Sequence, residues 1–393
     1  MDDAHLIAQN PALHGWTADA FRHIFASFDP ELYIPLTLLS FKIESIVTLQ
    51  PWLLHLDNIV LHILNALLVS VIITKLFSSK VYGVCTGVLF ALHPLTVETV
   101  VWMSSRKDLL ATFFALTSIV CALHLSRPPQ KKIIVFMTAC FLLAALSKIS
   151  VVLLPVLLFI IAEKKVSKNV AMKIVMPALG VGLILGIVAI IGKEHAVHAT
   201  ATVDRLFLAG VAISTSIGRF LAPLHLSPYY ALPSQNLITI MLAIIPIVLG
   251  TIAWTLRKNM PLFACGILWF FLFIIPTTLN IQNDLRASGL TFASDRYMYL
   301  PMIGLFIALI AMFKKSTDNL SSITASRIWI TVTTLLCMIS IPLSHAQIVH
   351  WKDADSLYMH SLLVSPRSIE ARIAVTNALK EDGKILDAFA VLK

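Results

Sequence analysis

The chain has 393 residues, of which 58% are hydrophobic and 13% charged, where a soluble domain carries about 25% charged residues. That composition excludes a soluble enzyme and calls for an all-α, polytopic transmembrane bundle, because a span takes about 20 apolar residues. The net charge of +9 is spread over short segments between apolar stretches, with no basic run longer than two residues, so it reads as orientation information and not as a nucleic-acid site.

Residues 1–55 come first, an outer-face segment with the adjacent carboxylates Asp2 and Asp3, followed by His5. They are polar at the start and lack the apolar core of a signal peptide. Apolar runs follow at 56–77, 81–92, 108–125, 133–147, 149–162, 171–192, 206–221, 237–256, 261–278, 297–313 and 328–346, giving ten or eleven helical segments in a membrane region, 56–346. Several are too short to span alone. The run 206–221 holds Gly218 and Arg219 and ends at Pro223, which suits a broken or interfacial segment. With that run not crossing, Lys75, Lys80, Arg127, Lys131, Lys132, Lys164, Lys165, Lys168, Lys173, Arg257, Lys258, Lys314, Lys315 and Arg327 all fall on the inner side, and residues 1–55 and the tail share the outer side. The tail, 347–393, fits part of a 34-residue tetratricopeptide register: Tyr358 at position 24, Pro366 at 32, Gly383 at 15 and Ala388 at 20 of the next unit. The Trp, Leu and Gly positions that open the motif are not matched, and a generic amphipathic tail is the alternative. The register stops in mid-repeat, so a longer protein is expected.

The five cysteines, Cys85, Cys121, Cys140, Cys265 and Cys337, sit inside apolar runs without CxxC spacing, which supports neither disulfides nor a zinc site. His195 and His198 are spaced as metal ligands are, yet have no third ligand nearby; metal dependence stays open.

Ionisable residues near membrane spans are functional candidates by default, and three outer segments are rich in them. The first is the amino-terminal DDAH. The second, LFALHPLTVETVVWMSSRKDLL, contains His93, Glu98, Arg106, Lys107 and Asp108. The third, FASDRYMYLP, contains Asp295, Arg296, Tyr297 and Tyr299. A carboxylate beside clustered cations is suited to take a proton from an acceptor hydroxyl while the cations hold a phosphate leaving group. The competing reading is salt bridging, Arg106 with Glu98 or Asp108 and Arg296 with Asp295. On helix 56–77, His62 and Asn65 lie on one face, as interhelical hydrogen-bonding residues do.

The ordered strings YIPLTLLSF, HLDNIVLHILNALL, LFALHPLTVETVVWMSSRKDLLATFF, LLAALSK and DRYMYLPMIGLF, with a repeat-like tail, resemble the GT-C membrane glycosyltransferases with carboxyl-terminal tetratricopeptide repeats. The eukaryotic members of that family are O-mannosyltransferases. The resemblance implies transfer of a sugar from a polyprenyl or dolichyl phosphate to an acceptor on the outer or lumenal face of the bacterial inner membrane or the endoplasmic reticulum. It also implies an Asp of the first loop as base; Asp2 is the choice, with Asp3 as helper. Arg106, Lys107 and Arg296 are then expected on the donor phosphate, with His5, His93, Glu98, Asp108, Asp295 and Tyr297 in support and the tail available to a protein acceptor. Two departures stand out. The family has a transmembrane helix before the acidic pair, whereas Asp2 here follows Met1, so a truncated or mis-assigned start, and an inactive fragment, are expected. The smaller one is Asp57, beside the matching Asn58. The alternatives are a transporter, disfavoured because the charges gather at one face and not at the midplane, and a scaffold presenting repeats, which would leave the polar clusters unused.

Overall fold

The computed structural model describes residues 3–26, 28, 33–194, 202–278, 292–381, 383 and 388. Among them the regular structure is helical, with no strand. The α-helices are α1 (Ala18–Ala26), α2 (Pro35–Glu44), α3 (Pro51–Phe77), α4 (Lys80–Leu92), α5 (Val97–Val101), α6 (Arg106–Leu123), α7 (Lys131–Ser147), α8 (Leu154–Glu163), α9 (Lys168–Glu194), α10 (Thr202–Leu221), α11 (Leu237–Leu256), α12 (Pro261–Thr278), α13 (Pro301–Ser316), α14 (Ser322–His350), α15 (Ala354–Val364) and α16 (Ile369–Glu381). Asp2, His195 and His198 lie outside the described residues.

Every apolar run becomes a helix, with shifted ends. The run 149–162 opens with a 3-10 turn, Ile149–Val151, before α8, and the run from 297 starts as the 3-10 turn Asp295–Met298 before Pro301 begins α13, since proline is at home in a helix's first turn. Among the described residues five helices are long and apolar enough to cross a membrane: α3, α9 as far as Val188, α11, α12 and α14. The pair of α4 and Pro94–Val101, bent by 57°, makes a sixth as one broken span. The other segments are not span-length apolar helices: α7, α8 and α13 are short and α6 opens on Arg106, Lys107 and Asp108. The run 206–221 forms one unbroken helix, interrupted only after Leu221, and α10 is not among the span-length apolar helices.

The spans are apolar on the outside. On α3, Leu56, Ile59, Val60, Ile63, Leu67 and Val71 are exposed, while Asn58, His62, Asn65, Val69 and Ile72 are buried. An exposed apolar surface of this extent needs hydrocarbon as its solvent. The chain is a multi-pass membrane protein.

Contacts divide the chain into two compact units: Met1–Ala91 with Thr99–Ala196 and Phe313–Thr333, and Leu92–Glu98 with Val197–Met312 and Thr334–Lys393. In the first unit the amino-terminal segment has a core of its own, in which Leu6, Ile7, Ala12, Leu13 and Ile24 pack against Ile34, Leu38, Phe41 of α2 and Leu54 of α3. Lys42 secures this cap, donating to the Gly15 carbonyl and lying 5.3 Å from the Trp16 ring centroid. In the second unit α12 and α13 cross with Gly266 against Gly304; a Cβ on Gly266 would lie 2.5 Å from the Gly304 carbonyl oxygen. The tail helices α15 and α16 pack together, and they dock on the 226–231 loop: His360 donates to the Leu226 carbonyl at 2.9 Å, and Ser365 Oγ accepts from the Ala231 N–H at 2.8 Å.

Candidate functional site

Breaking a span frees backbone groups that hydrocarbon cannot satisfy, so carbonyls on either side of the break require donors from a neighbour. Helix α3 supplies them from residues spaced along one face. Asn58 Nδ2 donates to the Val100 and Trp102 carbonyls at 3.2 and 3.3 Å, His62 Nε2 to the Ala91 carbonyl at 3.0 Å, and Asn65 Nδ2 to the Leu109 carbonyl at 3.1 Å. The interhelical role read for His62 and Asn65 is the one they occupy.

The break carries the charges to the start of α6. Arg106, 1% exposed, sends Nε to Asn58 Oδ1 at 2.5 Å, Nη2 to the Leu54 carbonyl at 2.8 Å and Nη1 to Glu44 Oε1. It therefore clamps α2, α3 and α6 together, with the Phe41 ring 5.0 Å from its Cζ. Burial first, and then neighbouring Asp57 of α3, push the Glu44 carboxyl up to about 8 against the pull of Arg106, and Glu44 Oε2 is buried without a hydrogen-bond partner among the described residues. Lys107 is buried with Nζ 5.3 Å from the Trp102 ring centroid, and Asp108 Oδ1 pairs with Lys148 Nζ at 2.5 Å. Asp3 reaches this turn from 101 residues away: its Oδ1 accepts from the Ser104 backbone N–H at 3.0 Å and from the Ser104 hydroxyl. Nearby, Ser105 Oγ and Asp108 Oδ2 are buried without hydrogen-bond partners among the described residues, and the Ser105 side chain does not cap α6. His5 is exposed in the short π-helical turn Ala4–Ala8.

In the second unit the remaining candidates form a balanced quartet. Arg296 Nη1 donates to Glu98 Oε1 at 2.5 Å and its backbone N–H to Glu98 Oε2 at 3.2 Å; its Cζ lies 4.9 Å from the Tyr297 ring centroid. Asp295 pairs with Arg219 Nη1 at 3.2 Å and accepts from the Tyr230 hydroxyl at 3.0 Å and the Ser227 N–H at 3.1 Å. Burial raises the Asp295 carboxyl, and Arg219 opposes it; burial and Asp295 together raise the Tyr230 phenol. His93 is committed to the fold, since Nε2 donates to the Phe220 carbonyl at 3.1 Å, Nδ1 accepts from the Leu95 N–H at 3.2 Å, and its ring stacks on Phe220.

The ion pairs correct the local partners expected from sequence: Arg106 takes Glu44, not Glu98 or Asp108, and Arg296 takes Glu98, not Asp295. Glu44, Asn58, Ser104, Arg219 and Tyr230 were not among the sequence candidates. Among the described residues no group of three or more His, Cys, Asp or Glu is arranged to hold a metal.

Fold and site thus define an all-helical, multi-pass membrane protein whose ionisable side chains are held at broken helices. Its resemblance to O-mannosyltransferases, read first in the motifs, extends to curated relatives. Protein O-mannosyl-transferase tmtc2 of Xenopus laevis is 36% identical over 90 residues, 23% of this chain and 11% of the frog protein. Protein O-mannosyl-transferase TMTC3 of Homo sapiens is 34% identical over 106 residues, 26% of this chain and 11% of the human protein. Protein O-mannosyl-transferase F38B6.6 of Caenorhabditis elegans is 23% identical along 98% of this chain, which spans 58% of the worm protein. No family model and no solved structure matches the chain. The homologues are glycosyltransferases by name.

Proposed function

We propose that the chain acts as a membrane glycosyltransferase, moving a sugar, mannose by analogy with the names of its relatives, from a polyprenyl or dolichyl phosphate to a protein Ser or Thr hydroxyl at the outer or lumenal face. The observation that carries this reading is the seat of Asp3 on Ser104, two residues before Arg106, which puts the acidic loop and the cationic start of α6 together. In the reaction the acceptor oxygen bonds to the anomeric carbon as the bond from that carbon to the phosphate oxygen breaks. A carboxylate of the Asp2–Asp3 pair takes the hydroxyl proton, and the lipid phosphate leaves with the bonding electrons. Asp3, held by Ser104, is the group that fixes the loop, which leaves Asp2 as base. The phosphate is assigned to the uncapped N-terminus of α6, where helix N–H groups and the dipole favour an anion, with Lys107 as its cation and Ser105 Oγ as a further donor. Arg106, engaged by a carboxylate, contributes field and position; the tail is offered to the acceptor.

The test uses the full chain in lipid vesicles with mannosyl-phosphoryl polyprenol and a Ser/Thr peptide. Asp2→Asn should reduce transfer on the order of 10²-fold. Asp3→Asn, which preserves an acceptor for Ser104, should keep most activity while Asp3→Ala loses it. Undiminished transfer in both Asp2→Asn and Asp3→Ala would remove this loop from the chemistry.

A further inference from the structure

In the first unit, the end of α6 away from Arg106 is surrounded by cations that no carboxylate balances among the described residues. α6 has 18 residues, which makes it about 27 Å long at about 1.5 Å per residue, close to the roughly 30 Å of a bilayer's hydrocarbon core. Beyond its far end lie the α6–α7 turn, with Arg127, Lys131 and Lys132, and the α8–α9 turn, with Lys164, Lys165 and Lys168; Lys173 follows within α9. All of these cations are exposed, and Glu163 is the one acidic residue between positions 124 and 173. The two turns are joined, since Arg127 Nε donates to the Lys165 carbonyl at 3.0 Å, and α7 and α9 are in contact. At the opposite end of the same unit, Arg106 and Lys148 are each held by a carboxylate.

The side chains beneath these cations indicate what covers them. On α7, Val135 and Phe136 are exposed four residues after Lys131 and Lys132; on α9, the exposed Met172 and Met176 follow Lys168 at successive intervals of four. Each of these lysines therefore has an exposed apolar side chain one turn further along the same helix face. A strip that is cationic at the helix ends and apolar one turn in matches a phospholipid, with the head group against the cations and an acyl chain along the helix. The start of α7 adds to the attraction, because Gln130 gives it no side-chain cap and an uncapped helix N-terminus favours an anion. Setting the orientation of a span requires only that basic residues lie somewhere in the loop; it requires neither the bond between the two turns nor the bare apolar strip below them. We propose that the α6–α7 and α8–α9 turns together bind the head group of an anionic glycerophospholipid. Arg127, with Nε spent on the Lys165 carbonyl, offers its Nη groups to the phosphate, and the lysines of both turns supply the remaining charge. An acidic protein would reach the cations but not Val135, Phe136, Met172 and Met176, which lie deeper along the helices.

The test attaches a fluorophore to Gln130→Cys, an exposed position at the start of α7, in the otherwise Cys-free full chain in phosphatidylcholine vesicles. Phosphatidylglycerol with brominated acyl chains should reach half-maximal quenching at a mole fraction about tenfold lower than brominated phosphatidylcholine, since each cation near an anionic lipid contributes up to about fivefold. That preference should weaken as salt is added. Changing Lys131, Lys132, Lys164 and Lys165 together to Gln should abolish it, while changing the same four to Arg should keep it. Arg127→Gln alone, which unlinks the turns, should lower it about fivefold. Lys352→Gln with Arg367→Gln, two exposed cations of the tail, should leave it unchanged. Equal quenching by the two lipids in the parent chain, or a preference that survives the four Gln changes, overturns the proposal. A preference abolished by inorganic phosphate at constant ionic strength would mean a site for a free anion, and a probe left unquenched by brominated phosphatidylglycerol but shifted by polyglutamate would mean an acidic protein partner; either result overturns it as well.

Discussion

Glu98→Ala tests the energetic weight of the second unit's quartet. The Glu98 side chain is 3% exposed and that of Arg296 9%, so both charges have left water. Truncating Glu98 deletes two hydrogen bonds at once, from Arg296 Nη1 and from the Arg296 backbone N–H, and takes the carboxylate from a buried ion pair. Breaking such a pair costs about 3–5 kcal/mol. At roughly 2 °C per kcal/mol for a large domain, the midpoint should drop about 6–10 °C. The five free cysteines provide the assay, since Cys140 is buried at 2% and a fluorogenic thiol probe reports its release on heating in detergent. Glu98→Gln, which keeps an acceptor, should lose about 1–3 kcal/mol. Combining Glu98→Ala with Arg296→Met should recover part of the loss, because the buried charge is then gone. An Ala variant that melts with the wild type, or a double variant that is simply the sum of the singles, would mean that the pair carries no buried-charge energy.

At the α12–α13 crossing, Gly304→Ala should lower the same thermal midpoint by an amount equivalent to about 1–3 kcal/mol, because the added Cβ would lie 2.7 Å from the Phe270 nitrogen; an unchanged midpoint would mean that the helices can part at no cost. For topology, cysteines introduced singly at Thr17 and Arg367, both exposed, in a Cys-free background should label from the same side of sealed vesicles, as the placement of basic loops requires; labelling from opposite sides would reverse the reading.

Apolar run length located the helices because a span must be apolar along its whole length, whatever its partners. It could not locate the ion pairs, whose members are brought together by packing: Glu44 and Arg106 are 62 residues apart, and Glu98 and Arg296 are 198. With only neighbours in the chain to choose from, the sequence offered Asp108 and Asp295 as partners. Glu44 was missed for a second reason. It ends α2 in a stretch, YIPLTLLSFKIES, where nothing distinguishes a buried acid from a solvated one. The folding of the amino-terminal segment had a readable signal in Pro35 at the start of an apolar stretch, but α1 and α2 are short, and their core is completed by Leu54 from α3. Asp57 was noticed as a departure, and its nearness to Glu44 became visible once α2 lay beside it.

The three side chains that α3 extends to the carbonyls of Ala91, Val100, Trp102 and Leu109 also set how the first unit can move. A slide of α3 by one helical turn, about 5.4 Å, would strip all of those carbonyls together and expose them to hydrocarbon. The helix and the broken stretch beside it are therefore geared to each other without slack. Any motion within the first unit has to pivot about this assembly.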